Sequence, residues 1–132
     1  MKVYLRNKPP HNIHVTGFEC FEGDAKNKDV MQRLNTKSGF VVFMFGYSGT
    51  GKTHTLFGTQ GDEGLVYLAG KVVDYQCTIS SREFYKDSVI NVFETKCKTH
   101  KEFVLFVRKI VRSRIKRATP LNPKSTRSHM VI

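Results

Sequence analysis

The segment FGYSGTGKTHT, residues 45–55, holds the side chains best suited to chemistry in this chain. Gly46, Gly51, Lys52 and Thr53 match the pattern Gly-x-x-x-x-Gly-Lys-Ser/Thr without a substitution. In such a loop the glycines let backbone N–H groups wrap an anion. The lysine supplies a positive charge for the β and γ phosphates, and the hydroxyl suits Mg²⁺. Residues 46–53 are therefore predicted to bind the phosphates of a nucleotide.

Both flanks of this loop have the character that a phosphate loop requires. The run Phe40–Phe45, FVVFMF, is continuously apolar and rich in β-branched and aromatic residues. Such a run predicts a central strand that is buried on both faces. The residues after the loop are predicted to form a helix whose positive end points toward the bound anion.

The rest of the chain predicts further short strands and helices. Strands are expected at Val3–Leu5, Gln76–Phe84 and Ser88–Phe93, and helices at Asp24–Asn35, Leu65–Tyr75 and Lys101–Arg117. Glu83 and Glu94 are interpreted as surface or strand-end residues. No internal repeat or low-complexity segment marks a boundary, so residues 1–132 are expected to form a single domain of α/β class.

The chain is strongly basic, with 22 Lys and Arg against 11 Asp and Glu and a formal net charge of +11. This balance favours an acidic partner, either a nucleotide, a nucleic acid or an acidic protein surface. Basic side chains also line one face of the helix predicted at 101–117. They are Arg108, Lys109, Arg112, Lys116 and Arg117. This face is interpreted either as a solvated surface or as a docking site for an acidic partner.

Other features bear on where the protein works. No apolar run reaches the length of a membrane span, so no membrane partner is expected. The N-terminus has no apolar stretch of signal-peptide length before Pro9, which favours a cytosolic or nuclear location. Cys20, Cys77 and Cys97 lack the spacing of a zinc site or a disulfide framework, and are expected to be reduced and structural.

Two motifs carry a resemblance to a known family. FMFGYSGTGKTHTLFG resembles the nucleotide loop of kinesin motor domains, and LNPKSTRSHMVI resembles their switch I signature, Asn-x-x-Ser-Ser-Arg-Ser-His. The matching positions of the second motif are Asn122, Ser125, Arg127, Ser128 and His129, while Thr126 replaces a serine. Weaker similarities lie in VYLRNKPP, GFECF and SREFYKDSVINVF.

The resemblance implies a fold, cofactors and site residues. The fold would be that of a P-loop NTPase, with a partial kinesin-like mixed central sheet flanked by helices. The cofactors would be ATP and Mg²⁺, with Thr53 and Thr126 toward the metal and Ser125 toward the γ phosphate or the attacking water. The implied nucleotide-binding residues are Arg6, Pro9, Gly46, Tyr47, Ser48, Gly49, Thr50, Gly51, Lys52, Thr53, His54 and Asn122.

The resemblance also bears on activity, because it extends over the first half of a motor domain, through the switch I-like residues 122–129. The switch II glutamate that would pair with Arg127 has no counterpart in the sequence. We therefore expect an ATP-binding, kinesin-like protein of the cytoplasm and cytoskeleton that associates with microtubules and lacks autonomous motility. ATPase activity is left open.

Two alternatives remain at this stage. In one, the chain is the N-terminal half of a split motor, and a second chain carries switch II. In the other, it is a basic, non-catalytic module that docks on tubulin or on nucleic acid.

Overall fold

The computed structural model describes residues 4–7, 15–21, 25–34, 41–73, 77–114 and 128–132. The chain divides into two compact units, Met1–Leu68 and Ala69–Ile132, which are treated separately below. None of the helices in the described ranges is long and apolar enough to cross a membrane.

The N-terminal unit begins with two short parallel strands. Strand β1, Tyr4–Arg6, pairs with β2, Glu19–Phe21, so that Arg6 lies opposite Phe21. Helix α1, Asn27–Arg33, follows, and the carboxylate of Asp29 accepts a hydrogen bond of 3.0 Å from the backbone N–H of Lys26. An acidic side chain at this position satisfies a backbone donor at the helix start, which fixes where α1 begins.

The second half of this unit follows the glycine loop at residues 46–51. Helix α2, Lys52–Phe57, leads into β3, Gly58–Thr59, which pairs with the antiparallel β4, Asp62–Glu63. Helix α3, Leu65–Gly70, follows, and the boundary between the units falls within it.

Three buried side chains, Phe21, Val30 and Leu65, form the hydrophobic core of the N-terminal unit. They come from β2, α1 and α3. Six partly buried side chains pack against them, namely Tyr4, Ala25, Met31, Val42, Met44 and Leu68. The core therefore joins segments that are far apart in the sequence.

The C-terminal unit is a three-stranded antiparallel sheet with one helix. Strand β5, Cys77–Tyr85, lies between β6, Ser88–Cys97, and β7, His129–Val131. The β5–β6 connection is a tight turn at Lys86 and Asp87, where Lys86 adopts a left-handed φ of 53°. A β-bulge near Glu83 and Phe84 shifts the register between the strands.

Helix α4, His100–Ser113, packs on β6. The Thr99 hydroxyl accepts a hydrogen bond of 3.2 Å from the backbone N–H of Glu102, which caps the helix start. The buried side chains of α4 recur at three- and four-residue steps and are Phe103, Phe106, Val107 and Ile110. This spacing forms one apolar face, which is the reason the segment folds as an amphipathic helix.

Several sequence predictions are confirmed. The strand at Val3–Leu5, the β5–β6 hairpin and the helices near residues 24–35, 65–75 and 101–117 are present, with bounds shifted by a few residues. Residues 3, 24, 35, 74–76 and 115–117 of these predictions lie outside the described residues. The mixed helix and strand content is compatible with an α/β fold. The described strands form sheets of two, two and three strands instead of the predicted central sheet.

The prediction of a central strand at Phe40–Phe45 is wrong for the described part of that segment. Residues 41–47 form no regular secondary structure, and Phe43 is 85% exposed. Val42 and Met44 pack against the core of the N-terminal unit, whereas Val41, Phe43 and Phe45 face away from it. An apolar run supplies side chains for burial, but a strand also needs a hydrogen-bonding neighbour, and none of the described strands pairs with this segment.

Close backbone packing around α2 and the β3–β4 hairpin gives the first prediction. A Cβ added at Gly64 would overlap backbone atoms of Leu56, Phe57 and Gly58, whereas one added at Gly61 would meet no atom within 4 Å. We expect Gly64→Ala to lower the free energy of unfolding by about 3 kcal/mol, since backbone must move to admit the methyl group.

The control is Gly61→Ala, which adds the same methyl group at a φ of 87°. That conformation alone costs a side chain about 1 kcal/mol. Urea unfolding followed by far-ultraviolet circular dichroism measures both losses. Equal losses for the two variants would contradict the packing described here.

Candidate functional site

The glycine loop of residues 46–51 turns sharply before α2. Gly46, Gly49 and Gly51 have φ values of 146°, 81° and 93°, a range that side chains disfavour. A Cβ on Gly46 would lie 2.7 Å from Oγ1 of Thr50. The Thr50 hydroxyl in turn donates a hydrogen bond of 2.8 Å to the Tyr47 carbonyl. The glycines are thus required by backbone conformation and, at Gly46, by space.

Lys52 closes this loop from the helix side. Its Nζ donates hydrogen bonds of 2.5 Å each to the carbonyls of Gly46 and Tyr47. The ammonium therefore lies over the loop backbone, where the sequence pattern predicts a phosphate. Gly51 starts α2, since its carbonyl accepts the hydrogen bond of 2.9 Å from the Thr55 N–H.

A cavity of about 980 Å³ lies within the N-terminal unit next to this loop. Thr50, Gly51 and Lys52 form part of its wall, and β1 contributes Tyr4 and Arg6. Its volume lies at the upper end of the range that is usual for small-molecule and cofactor sites. The loop therefore faces a space that can admit a ligand of nucleotide size.

Arg6 is the most extensively bonded side chain near the cavity. Its guanidinium donates hydrogen bonds to the side chain of Asn27, to the Thr55 hydroxyl at 2.8 Å and to the Ala25 carbonyl at 2.8 Å. Nη2 also lies 3.7 Å from the Asp62 carboxylate. Burial lowers the pKa of Arg6, and Asp62 partly offsets that effect.

Asp62 and Asn27 extend this polar cluster toward α2. The Asp62 carboxylate accepts a hydrogen bond of 2.9 Å from the Asn27 backbone N–H and lies 3.3 Å from Nε2 of His54. The amide of Asn27 donates to the His54 carbonyl at 3.2 Å. Asn27, Thr55 and Asp62 were not identified from the sequence, because no motif links residues so far apart along the chain.

The other predicted loop residues lie in the turn before α2 and in the first residues of that helix. Tyr47, Gly49 and Thr53 are exposed, and Ser48 and His54 are half-buried. Thr53 lies in the first turn of α2, directly after Lys52. The structure thus places Gly46–His54 in one continuous turn and helix start.

Other predicted site residues fall elsewhere. Pro9, Asn122, Ser125, Thr126 and Arg127 lie outside the described residues. Ser128 and His129, the last two positions of the switch I-like motif, belong to the C-terminal unit. The described part of the chain holds no group of three or more His, Cys, Asp or Glu side chains that could bind a metal.

Glu83 was predicted to be a surface or strand-end residue. It lies near the C-terminal end of β5 but is 1% exposed, so the prediction of a surface position is wrong. Its carboxylate accepts a hydrogen bond from the Ser128 hydroxyl and one of 2.7 Å from the Asn91 amide. Oε1 also lies 3.7 Å from Nε of Arg114. Glu83 therefore ties the end of the switch I-like motif to the β5–β6 hairpin and to the residue after α4.

Arg114 completes this buried network. Its Nη2 donates hydrogen bonds of 3.4 Å to the carbonyl and to the hydroxyl of Ser128. Burial lowers the pKa of Arg114, and its neighbour Glu83 partly offsets this. The two charges stabilise each other in a place where either alone would be costly.

The geometry described above is that of a mixed helix and strand protein with a glycine-rich turn before α2. No family model matches the chain. An alignment of 79 positions, which covers 54% of this chain, shows 35% identity to the Kinesin-like protein KIN-6 of Arabidopsis thaliana. An alignment of 66 positions, which covers 42% of this chain, shows 32% identity to the Kinesin-like protein KIF18B of Homo sapiens. Each match spans 8% of the relative's length. These similarities indicate a kinesin-related region within the chain.

The buried network gives the second prediction. We expect Glu83→Ala to lower the free energy of unfolding by about 3 kcal/mol, because Arg114 would remain buried without its carboxylate partner. Urea unfolding measures the loss. Glu94→Ala is the control, since it removes an exposed carboxylate from the adjacent strand β6. Its effect should stay within about 0.5 kcal/mol. A Glu83→Ala protein as stable as the control would show that the network contributes nothing.

Proposed function

We propose that this chain is a kinesin-related protein that binds ATP together with Mg²⁺ through residues 46–53. The observation that carries the proposal is the position of Lys52. Its ammonium is held over the loop carbonyls of Gly46 and Tyr47, at the wall of a cavity of about 980 Å³. The similarity to two kinesin-like proteins supports the same reading.

Phosphate binding follows from the chemistry of the loop. On binding, Lys52 would exchange two neutral carbonyl acceptors for charged phosphate oxygens, and such charge-assisted hydrogen bonds are the stronger kind. The left-handed glycines Gly49 and Gly51 leave the backbone free of side chains on the approach to the loop. Backbone N–H groups in such a turn form a concave anion-binding surface.

Thr53 would hold the magnesium ion that accompanies the phosphates. Thr53 is exposed and directly follows Lys52, and oxygen ligands such as its hydroxyl are those that Mg²⁺ prefers. Bound there, the ion would neutralise phosphate charge. We propose Thr126, from the switch I-like motif, as a second hydroxyl ligand on the basis of the resemblance alone.

Arg6 contributes to the proposed site by shaping its wall. The resemblance implies that Arg6 lies beside the base, and it does line the cavity. Its guanidinium is also bonded to Asn27, Thr55 and Ala25. We therefore assign it mainly a positioning role. ATP is preferred over GTP in this proposal, because the sequence contains no Asn-Lys-x-Asp guanine motif.

Nucleotide binding gives the third prediction. Lys52→Ala should weaken binding of a fluorescent ATP analogue in the presence of Mg²⁺ by at least about tenfold, since a charge-assisted contact is lost. Fluorescence anisotropy of the full chain measures the dissociation constant. Competition with unlabelled ATP and GTP in the same assay tests the choice of base.

The matched control is Lys28→Ala, which removes the same charge from an exposed position on α1. It should bind the analogue as the unchanged protein does. Equal binding by the Lys52 and Lys28 variants would refute the loop as the nucleotide site, because any loss of affinity would then come from the change in net charge and not from the position of Lys52.

We propose as a second function that the exposed basic face of α4 docks on the acidic surface of microtubules. Lys101, Leu105, Arg108 and Arg112 are exposed and recur at three- and four-residue steps, so they lie along one side of the helix. The only acidic side chain of α4, Glu102, accepts a hydrogen bond of 2.7 Å from the Lys98 backbone N–H. Glu102 is not a member of the stripe, so the charged members of the stripe, Lys101, Arg108 and Arg112, are all basic.

Microtubule docking gives the fourth prediction. The double variant Arg108→Glu with Arg112→Glu should bind microtubules at least about tenfold more weakly at low salt, because attraction becomes repulsion. Co-sedimentation measures this. The control is Arg82→Glu with Lys96→Glu, an equal change of charge at exposed positions of β5 and β6. Equal loss in both variants would contradict a specific face. If the Arg108→Glu, Arg112→Glu variant loses binding to duplex DNA but keeps its binding to microtubules, the partner of this face is nucleic acid.

A further inference from the structure

Two of the three cysteines face each other in the C-terminal unit. Cys77 begins β5, Cys97 ends β6, and the antiparallel register pairs them directly. Side chains of directly opposed residues lie on the same face of a sheet, and their Cα atoms are about 4.5–5.5 Å apart. This range lies within the Cα separation that a disulfide needs. Both thiols are free in the structure.

The two thiols have different surroundings. Cys97 is 1% exposed, whereas Cys77 is only partly buried. Burial raises the pKa of the Cys97 thiol, and neighbouring Cys77 and Glu102 raise it further. Cys97 therefore ionises less readily than an ordinary thiol, and Cys77, the more exposed of the two, is the thiol that a reagent in solution meets first. Nucleophilic attack requires a thiolate, so the first reaction belongs to Cys77.

A second cavity borders Cys97, the buried member of the pair. It has a volume of about 440 Å³, and its other lining residues come from β6, from α4 and from the connection between them, including Lys96, Lys98 and Glu102. Two lysines against one glutamate favour a small reagent that carries negative charge. A peptide disulfide with free carboxylates, such as oxidised glutathione, has both the reactive bond and the charge.

We propose that Cys77 and Cys97 form a reversible dithiol–disulfide site whose co-substrate is a small anionic disulfide. The Cys77 thiolate attacks one sulfur of oxidised glutathione, which forms a mixed disulfide and releases one glutathione thiolate. Cys97 then loses its proton to solvent and attacks the Cys77 sulfur. The protein disulfide forms and the second glutathione leaves as a thiolate. Two protein thiols are oxidised, one glutathione disulfide is reduced to two thiols, and the released thiolates take up the protons.

The bond would join the start of β5 to the end of β6, two residues before the Thr99 cap of α4. Closing this stretch of chain removes conformational freedom from the unfolded state. The oxidised C-terminal unit is therefore more resistant to unfolding than the reduced one. Reduced glutathione in excess reverses the exchange.

The test exposes the full chain carrying Cys20→Ala to oxidised glutathione at neutral pH. Removing Cys20 leaves the opposed pair as the only thiols. We expect loss of both free thiols, a proteolytic peptide that links Cys77 to Cys97, and a melting temperature raised by roughly 5 °C. Dithiothreitol should reverse all three changes.

Two single variants separate the roles of the thiols. With Cys97→Ala added, Cys77 should accumulate as the mixed disulfide with glutathione and show no rise in melting temperature. With Cys77→Ala added, Cys97 should react at least about tenfold more slowly. The cross-linked peptide is read from the protein with both cysteines intact, so a variant that folds poorly does not remove the test. Intermolecular disulfides alone, or no cross-link under excess oxidised glutathione, would overturn the proposal.

Discussion

Among the described residues, each unit places an arginine of low exposure against a carboxylate, and the need to satisfy these charges organises the elements around them. Arg6 and Asp62 lie 3.7 Å apart in the N-terminal unit, and Arg114 and Glu83 lie 3.7 Å apart in the C-terminal unit. A buried charge without partners is strongly destabilising, whereas a pair with further hydrogen bonds is tolerated. Both arginines therefore form hydrogen bonds with groups from other segments of their unit.

The loop depends on this constraint through α2. Arg6 donates hydrogen bonds to the Thr55 hydroxyl of α2 and to the side chain of Asn27, and the Asn27 amide donates one to the His54 carbonyl. These bonds fix the helix that begins at Lys52. The position of the ammonium over the loop carbonyls is thus set partly by a strand 46 residues earlier in the sequence, and its geometry reflects the packing of the whole unit.

Sequence patterns predicted the elements whose causes are local. The apolar spacing of α4 lies within one stretch of chain, as do the alternating strands of the β5–β6 hairpin, and these elements were predicted with bounds shifted by a few residues. The same alternation places Glu83 on the buried face with Ile79 and Ser81, so its burial was available from the strand pattern. Glutamate is seldom fully buried without a partner, so its charge favoured a surface position over the one that the strand pattern indicates.

Long-range partners explain what the sequence left out. The pattern of residues 46–53 predicted which glycines the turn needs, because backbone conformation is a local property. It did not predict the bonds of Arg6, since Asn27, Thr55 and Asp62 are brought together only by folding. The apolar run at 41–45 shows the same limit, because hydrophobicity does not specify a pairing strand.

Two different features lie on one face of strand β5, one near each of its ends. Near its C-terminal end Glu83 bonds to Asn91, Ser128 and Arg114, and at its N-terminal end Cys77 lies opposite Cys97. Side chains alternate between the two faces of a strand, so Cys77 and Glu83 lie on the same face as the buried Ile79 and Ser81. The charged end keeps its partners at any redox potential, whereas the thiol end has two covalent states. Formation of the proposed Cys77–Cys97 disulfide would therefore stabilise one end of the sheet. The Glu83 network at the other end would keep β7 in register with β5.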